Sequence, residues 1–226
     1  MTIAFNLEQV LQRIAKSVNN YQHVDSEVQL IAVSKTRPAD AIKTAWDQGQ
    51  RRFGENYVQE AVGKILALKA FDIEWHFIGP IQSNKTALIA QHFDWCQSID
   101  RSKIARRLSR QRPDNVIPLN VCVQINISAE ISKSGVNTET LWTLADEIVA
   151  LPNLTLRGLM AIPERQTEFA LQRQTFRQMH SIFEQMCARY DTVDTLSMGM
   201  SNDLEAAIAE GSTMVRIGTD IFGART

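Results

Sequence analysis

The sequence predicts an α/β fold, a single (β/α)₈ TIM barrel with an extra N-terminal helix. Eight short apolar runs alternate with stretches of helical periodicity, and strict strand–helix alternation implies a parallel sheet. The 226 residues match the roughly 200–250 that such a barrel occupies. No G-x-G-x-x-G follows any of the runs, which weighs against the doubly wound open sheet. No linker, repeat or low-complexity segment divides the chain, so one domain spanning 1–226 is expected.

The elements follow in order. Leu7, Val10, Leu11, Ile14 and Val18 recur at helical spacing and predict an amphipathic first helix. A polar stretch, Asn19 to Glu27, leads into the strand Leu30–Lys35. Pro38 suits the first position of the next helix, and Gly49 suits its stop. Arg52–Asn56 reads as the second strand, and Val58, Ala61, Val62, Ile65 and Leu66 mark a helix. Glu74–Pro80 is the third strand, ended by Gly-Pro, and a helix from Asn84 to Gln91 follows. Phe93–Ile99 is the fourth strand, with Asp100 placed to cap the helix after it. Leu119–Ile127 and Leu154–Ile162 are rich in β-branched and large apolar residues, as strands covered on both faces are. Phe176, Met179, Phe183, Met186 and Tyr190 form one stripe of a long helix; Thr195–Met198, a helix Asp203–Glu210 and Met214–Ile217 complete the pattern.

Composition narrows the function. An apolar fraction of 44% and a charged fraction of 22% suit a soluble protein with a substantial core. With 24 Lys and Arg against 25 Asp and Glu, no global field draws nucleic acid or an anionic membrane. The basic run Arg101, Lys103, Arg106, Arg107, Arg110 and Arg112 is interleaved with apolar Ile104 and Leu108, so a solvated helix face explains it. Cys96, Cys122 and Cys187 are too few and scattered for a disulfide framework or a zinc site. The N-terminus shows no secretory signal and no run reaches membrane-spanning length, so a cytoplasmic setting is expected.

Barrels of this class build their sites at the carboxyl ends of the strands, often with a phosphate after the last two. Lys35 closes the first strand in line with Ile31 and Val33; alone, it reads as a lysine reaching water. After the seventh strand, Ser201 or Asn202 can start a helix that meets an anion, and Gly218 and Thr219 offer close backbone approach and a hydroxyl after the eighth. The same residues serve equally as helix caps and a strand exit. Arg216 lies inside an apolar strand and needs an acceptor: a carboxylate, backbone carbonyls or a ligand atom. On the strand alone, a structural ion pair with Glu55 is the simpler reading.

Six ordered motifs then decide the matter: Ile31-Ala32-Val33-Ser34-Lys35-Thr36; Phe53-Gly54-Glu55-Asn56; His76-Phe77-Ile78-Gly79 with Gln82-Ser83-Asn84-Lys85; Leu196 to Ser201; Val215 to Thr219; and Ile221 to Arg225. Together they closely resemble the YggS/PROSC family of pyridoxal phosphate homeostasis proteins, over essentially the whole chain. The resemblance implies the fold type III barrel, similar to the N-terminal domain of alanine racemase, holding pyridoxal 5′-phosphate (PLP). It implies Lys35 as the Schiff-base lysine, Ser201, Gly218 and Thr219 at the phosphate, and Arg216 facing the pyridine nitrogen. It also implies Asn56, His76, Met198 and Met160 along the cofactor pocket and Lys133 in the loop after the fifth strand. A Schiff base requires the neutral amine, a form that desolvation favours.

An arginine against the pyridine nitrogen cannot accept the proton that an acid there would share with the ring. The chain also ends at Thr226, without the second domain that supplies a tyrosine acid/base in alanine racemases, leaving Tyr57 as the in-chain candidate. The expectation is therefore a PLP carrier or regulator rather than an enzyme. It is expected to be a monomer that hands PLP to apo-enzymes and affects amino-acid balance. The alternative is a small PLP-dependent racemase or lyase using Lys35 with Tyr57 or His76.

Overall fold

Eight parallel strands close into a barrel in chain order: β1 (Gln29–Val33), β2 (Arg52–Glu55), β3 (Glu74–Phe77), β4 (Trp95–Ile99), β5 (Leu119–Ile125), β6 (Leu154–Ala161), β7 (Thr195–Ser197) and β8 (Met214–Ile217). The barrel closes where β8 pairs with β1, Ile31 opposite Arg216. Around it run α1 (Ile3–Asn20), α2 (Ala39–Asp47), α3 (Val58–Ala67), α4 (Thr86–His92), α5 (Ser102–Gln111), α6 (Thr138–Val149), α7 (Phe169–Arg189), α8 (Leu204–Ala209) and α9 (Thr219–Phe222). The structure, a computed structural model, describes residues 2–21, 27–127 and 134–224. Lys133 and Arg225, both singled out in the sequence, lie outside the described residues.

Side chains of a strand alternate between two faces, and the two faces here carry two apolar clusters. The larger lies between the sheet and the helices, with Phe53, Phe77, Phe176, Met179 and Met198 among its members. The smaller fills the barrel itself with Ile31, Trp95, Cys122, Met160 and Met214, and Val33 packs against it. Among these inward residues sit four buried polar side chains, His76, Gln97, Ser197 and Arg216, each 3% exposed or less.

The expected strands overshoot at their carboxyl ends. They stop at Val33, Glu55, Phe77, Ile125, Ala161 and Ser197 because the residues beyond leave the hydrogen-bond ladder to build the barrel mouth. Leu11, expected in the stripe of α1, is 45% exposed; the buried stripe runs through Leu7, Val10, Ile14 and Ser17. Arg112 corrects the reading of the basic run as a solvated face. It follows α5, is 4% exposed, and donates to the carbonyls of Ala90, Phe93 and Ile117 at 2.7–2.9 Å. A guanidinium can enter the packed layer where a ring of carbonyls receives it.

The added helix α1 packs on α2, α8 and α9. Its Arg13 bonds Glu205 and Asp220 at 2.9 and 2.6 Å and the Ser201 carbonyl at 3.0 Å. One side chain of α1 therefore holds the loops after β7 and β8 together from outside.

Gly158 in β6 has φ of 146°, and a Cβ there would lie 1.9 Å from the Thr195 carbonyl oxygen. Gly158→Ala is expected to cost on the order of 3 kcal/mol in urea unfolding, from backbone strain and displacement of β7. Gly63→Ala, in α3 with open space around it, is expected to gain about 0.5–1 kcal/mol.

Candidate functional site

The exits of β1, β2, β3, β6, β7 and β8 enclose a cavity of about 280 Å³ at the carboxyl mouth of the barrel. That is near the lower bound of small-molecule pockets, roughly 300–1,000 Å³. Lys35, Asn56, Ser201, Arg216, Gly218 and Thr219 all line it, with Val33, Ile78 and Met200 among the apolar walls. These six residues, all expected at the site from the sequence, thus meet in one place.

Lys35 stands in the turn after β1, closed by the Arg37 amide bonding the Ser34 carbonyl at 3.0 Å. The residue after it, Thr36, has φ of 64°, a left-handed conformation that a β-branched side chain resists. A network from α3 holds that conformation. The Thr36 amide donates to Glu60 Oε1 at 2.6 Å. Lys64 Nζ, buried, donates to Glu60, to Glu55 Oε1 at 2.7 Å and to the Ser34 carbonyl at 2.8 Å. Ser34 Oγ donates to Glu55 at 2.7 Å, so both neighbours of Lys35 are tied to one charged cluster. Burial raises the Glu55 pKa, against the pull of Lys64 and Ser34.

The ion pair of Arg216 with Glu55 does not form. Glu55 follows Phe53 on the helix-facing side of β2, whereas Arg216 lies opposite Ile31 on the inward face. Arg216 donates instead to Ser197 Oγ at 2.6 Å and to the Ala161 carbonyl at 2.8 Å. Burial lowers its pKa to about 10, while the Asp203 carboxylate pulls the other way, so it stays charged at neutral pH.

Asp203 and Glu205, which follow Ser201 and Asn202 in the chain, are engaged by other groups. Asp203 accepts the Met200 amide at 2.5 Å and Glu205 pairs with Arg13. Gly218 approaches β1 so closely that a Cβ would lie 3.2 Å from the Val33 carbonyl oxygen. Asn56 Oδ1 is buried with no hydrogen-bond partner among the described residues. A backbone held bare by glycine, hydroxyls from two loops, an amine, a cation and an unmet acceptor together fit PLP, an anionic aldehyde.

His76 and Met198 do not line this cavity. Met198 follows inward-facing Ser197 and so turns outward, into the layer under the helices; Met200, two residues on, reaches the cavity instead. His76 points into the barrel one level below, stacked on Trp95 at 5.3 Å. Its Nε2 meets Glu74 Oε1 at 2.8 Å and its Nδ1 meets Gln97 Nε2 at 3.0 Å. Met160 is also fully buried in the barrel interior. The sequence reading missed Arg13, Glu60 and Lys64. The spacing of Glu60 and Lys64, four residues apart on one helix, was the available signal.

The sequence matches the family described as alanine racemase, N-terminal domain, over residues 10–226. A pyridoxal phosphate homeostasis protein of Escherichia coli strain K12 is 55% identical over 226 residues, covering 99% of this chain and 97% of that one. The chain belongs to this family. A protein of the same name from Pasteurella multocida strain Pm70 is 56% identical over 229 residues, covering 100% of this chain and 98% of its own. Among solved structures, PipY, the COG0325 family member of Synechococcus elongatus PCC7942, with PLP bound, superposes with a TM-score of 0.85 at 35% identity, covering 98% of this chain and all of that one. Among the described residues no helix is long and apolar enough to cross a membrane.

The position of His76 carries a pH signature. Burial pushes its pKa below 6.5, against Glu74 and Asp94 from β3 and the entry to β4 and with Arg52 from β2. Below pH 6.5 the unfolded chain therefore takes up a proton that the folded chain refuses. Stability is present above that value and is lost as pH falls through it, by up to about 1.4 kcal/mol per pH unit. Urea midpoints measured between about pH 6.5 and 5 are expected to fall in the wild type and to flatten in His76→Gln.

Proposed function

We propose that this chain is a PLP-binding protein of cofactor homeostasis that holds PLP on Lys35 and releases it to other proteins. The observation that carries this reading is the meeting of Lys35, Arg216, Ser201, Gly218 and Thr219 in one cavity. Close relatives named for PLP homeostasis and a PLP-bound structural neighbour support it. When bound, PLP supplies an aldehyde that condenses with a neutral amine and a ring that withdraws electrons.

The residues divide the work of holding. Lys35 contributes the amine from a turn whose backbone the Glu60–Lys64–Glu55 cluster fixes. Ser201, Gly218 and Thr219 offer donors for the phosphate, braced by Arg13 from behind. Arg216 presents N–H groups, and as a cation it cannot take the proton that an acid would share with the ring nitrogen. Asn56 offers its unmet oxygen.

The places of the alternative acids support holding rather than turnover. Tyr57 is 52% exposed and lines a neighbouring cavity with Gln82 and Lys85, not the one containing Lys35. Both ring nitrogens of His76 are engaged below the cavity. On this reading one barrel domain acts alone, as a monomer in the cytoplasm, with apo PLP-dependent enzymes as recipients. Neither nucleic acid nor membrane is a partner.

PLP-loaded protein mixed with an apo-aminotransferase is expected to restore aminotransferase activity, while the loaded protein alone racemises or cleaves none of the twenty amino acids. Sustained turnover by the pure protein, lost in Lys35→Ala, would establish the racemase or lyase reading instead.

A further inference from the structure

Beneath the cavity, a continuous line of hydrogen bonds runs down the barrel interior. Arg216 Nη1 donates to Ser197 Oγ at 2.6 Å, and Ser197 Oγ donates to Gln97 Oε1 at 2.7 Å. Gln97 Nε2 faces His76 Nδ1 at 3.0 Å, and His76 Nε2 faces Glu74 Oε1 at 2.8 Å. The four inner groups are 3% exposed or less. Glu74 opens β3 at the opposite mouth of the barrel, where it is 38% exposed and pairs with Arg52 at 3.2 Å. None of these groups except Arg216 lines the cavity.

The line has only one consistent direction. Ser197 Oγ already accepts from the guanidinium, so its own proton goes to Gln97 Oε1. That fixes the amide with its NH₂ toward His76, which must therefore present a bare Nδ1 and carry its proton on Nε2. The Nε2 proton meets a carboxylate, the partner that stabilises it best. Every donor points from Arg216 toward Glu74. Turning the amide over would set Nδ1–H against the amide oxygen and a bare Nε2 against Glu74, a repulsive contact for a neutral ring.

We propose that Ser197, Gln97 and His76 are positioning residues that fix the Arg216 guanidinium in the cofactor cavity and couple it to Glu74 at the far mouth of the barrel. Its bearing on PLP rests on the function proposed above; the chain itself stands on the geometry. Aligned hydrogen bonds polarise one another in a low-dielectric interior. A change in how Arg216 is engaged above is then felt at His76, three hydrogen bonds along the line, and the reverse.

Ring ¹⁵N NMR of histidine-labelled, PLP-free protein tests the chain, with the His76 signals assigned by their loss in His76→Gln. The wild type is expected to show the neutral Nε2–H tautomer. Ser197→Ala, two hydrogen bonds away, is expected to move those signals, and Ser197→Thr to restore them. A merely structural cluster would let Ser197→Ala lower the melting temperature while leaving the tautomer signals in place, and that result would overturn the proposal, as would an Nδ1–H tautomer. With PLP added, the wild-type His76 signals are expected to shift. In Gln97→Leu, which cuts the line, that response disappears and PLP affinity falls on the order of tenfold. PLP that binds to the wild type without moving His76 would contradict the coupling. Failure of the wild type to bind PLP at all would sink the proposed function while the PLP-free Ser197→Ala shift still stood.

Discussion

The charge of Arg216 is the constraint to which the barrel interior conforms. An unpaired guanidinium in an apolar interior costs several kcal/mol, and removing either partner of a buried pair is severe. The strand period places Arg216 among Ile31, Trp95, Cys122, Met160 and Met214, and it is 3% exposed. The wall answers with acceptors of its own, the Ala161 carbonyl and Ser197 Oγ. The polar inward positions of β3, β4 and β7 continue that answer down to Glu74. An interior that would otherwise be filled by branched apolar side chains gives up packing positions to a line of polar groups, and the upper end of that line opens into the cavity.

The second fixed point is the turn that presents Lys35. Its strain at Thr36 is local, yet its support comes from a different element, through a lysine and two carboxylates packed behind the barrel wall. The two fixed points lie on opposite faces of the same sheet. One cluster faces the helices and holds the amine; the other faces inward and holds the cation. Adjacent pairing of β1 and β8 then brings amine and cation into one cavity, although 180 residues of chain lie between 35 and 216.

The barrel was legible because each strand and helix announces its own period, and because the alternation admits few topologies. The core stripe of α7 and the last strand, Met214–Ile217, were readable residue by residue. Strand ends were not, because apolar residues such as Ile78 and Ile162 continue the pattern of the strand while lining the mouth beyond it. Lys35, Arg216, Gly218 and Thr219 were visible from motif resemblance and from the oddity of a charge within an apolar strand. His76 and Met198 were not placed at the right level, since which face a residue takes near a strand end depends on where the ladder stops. Arg13 acts across elements distant in sequence, and nothing local distinguishes it from a surface cation.

On the function proposed above, a lysine held by a strained turn and a buried cation in the same cavity would retain a cofactor. The most direct measurement is borohydride reduction of PLP-loaded protein followed by peptide mapping. The account predicts a reduced pyridoxyl group on Lys35, with none on Lys64 or Lys85, and loss of the label in Lys35→Ala. A colourless protein with no labelled lysine, or a label carried mainly on another lysine, would contradict it.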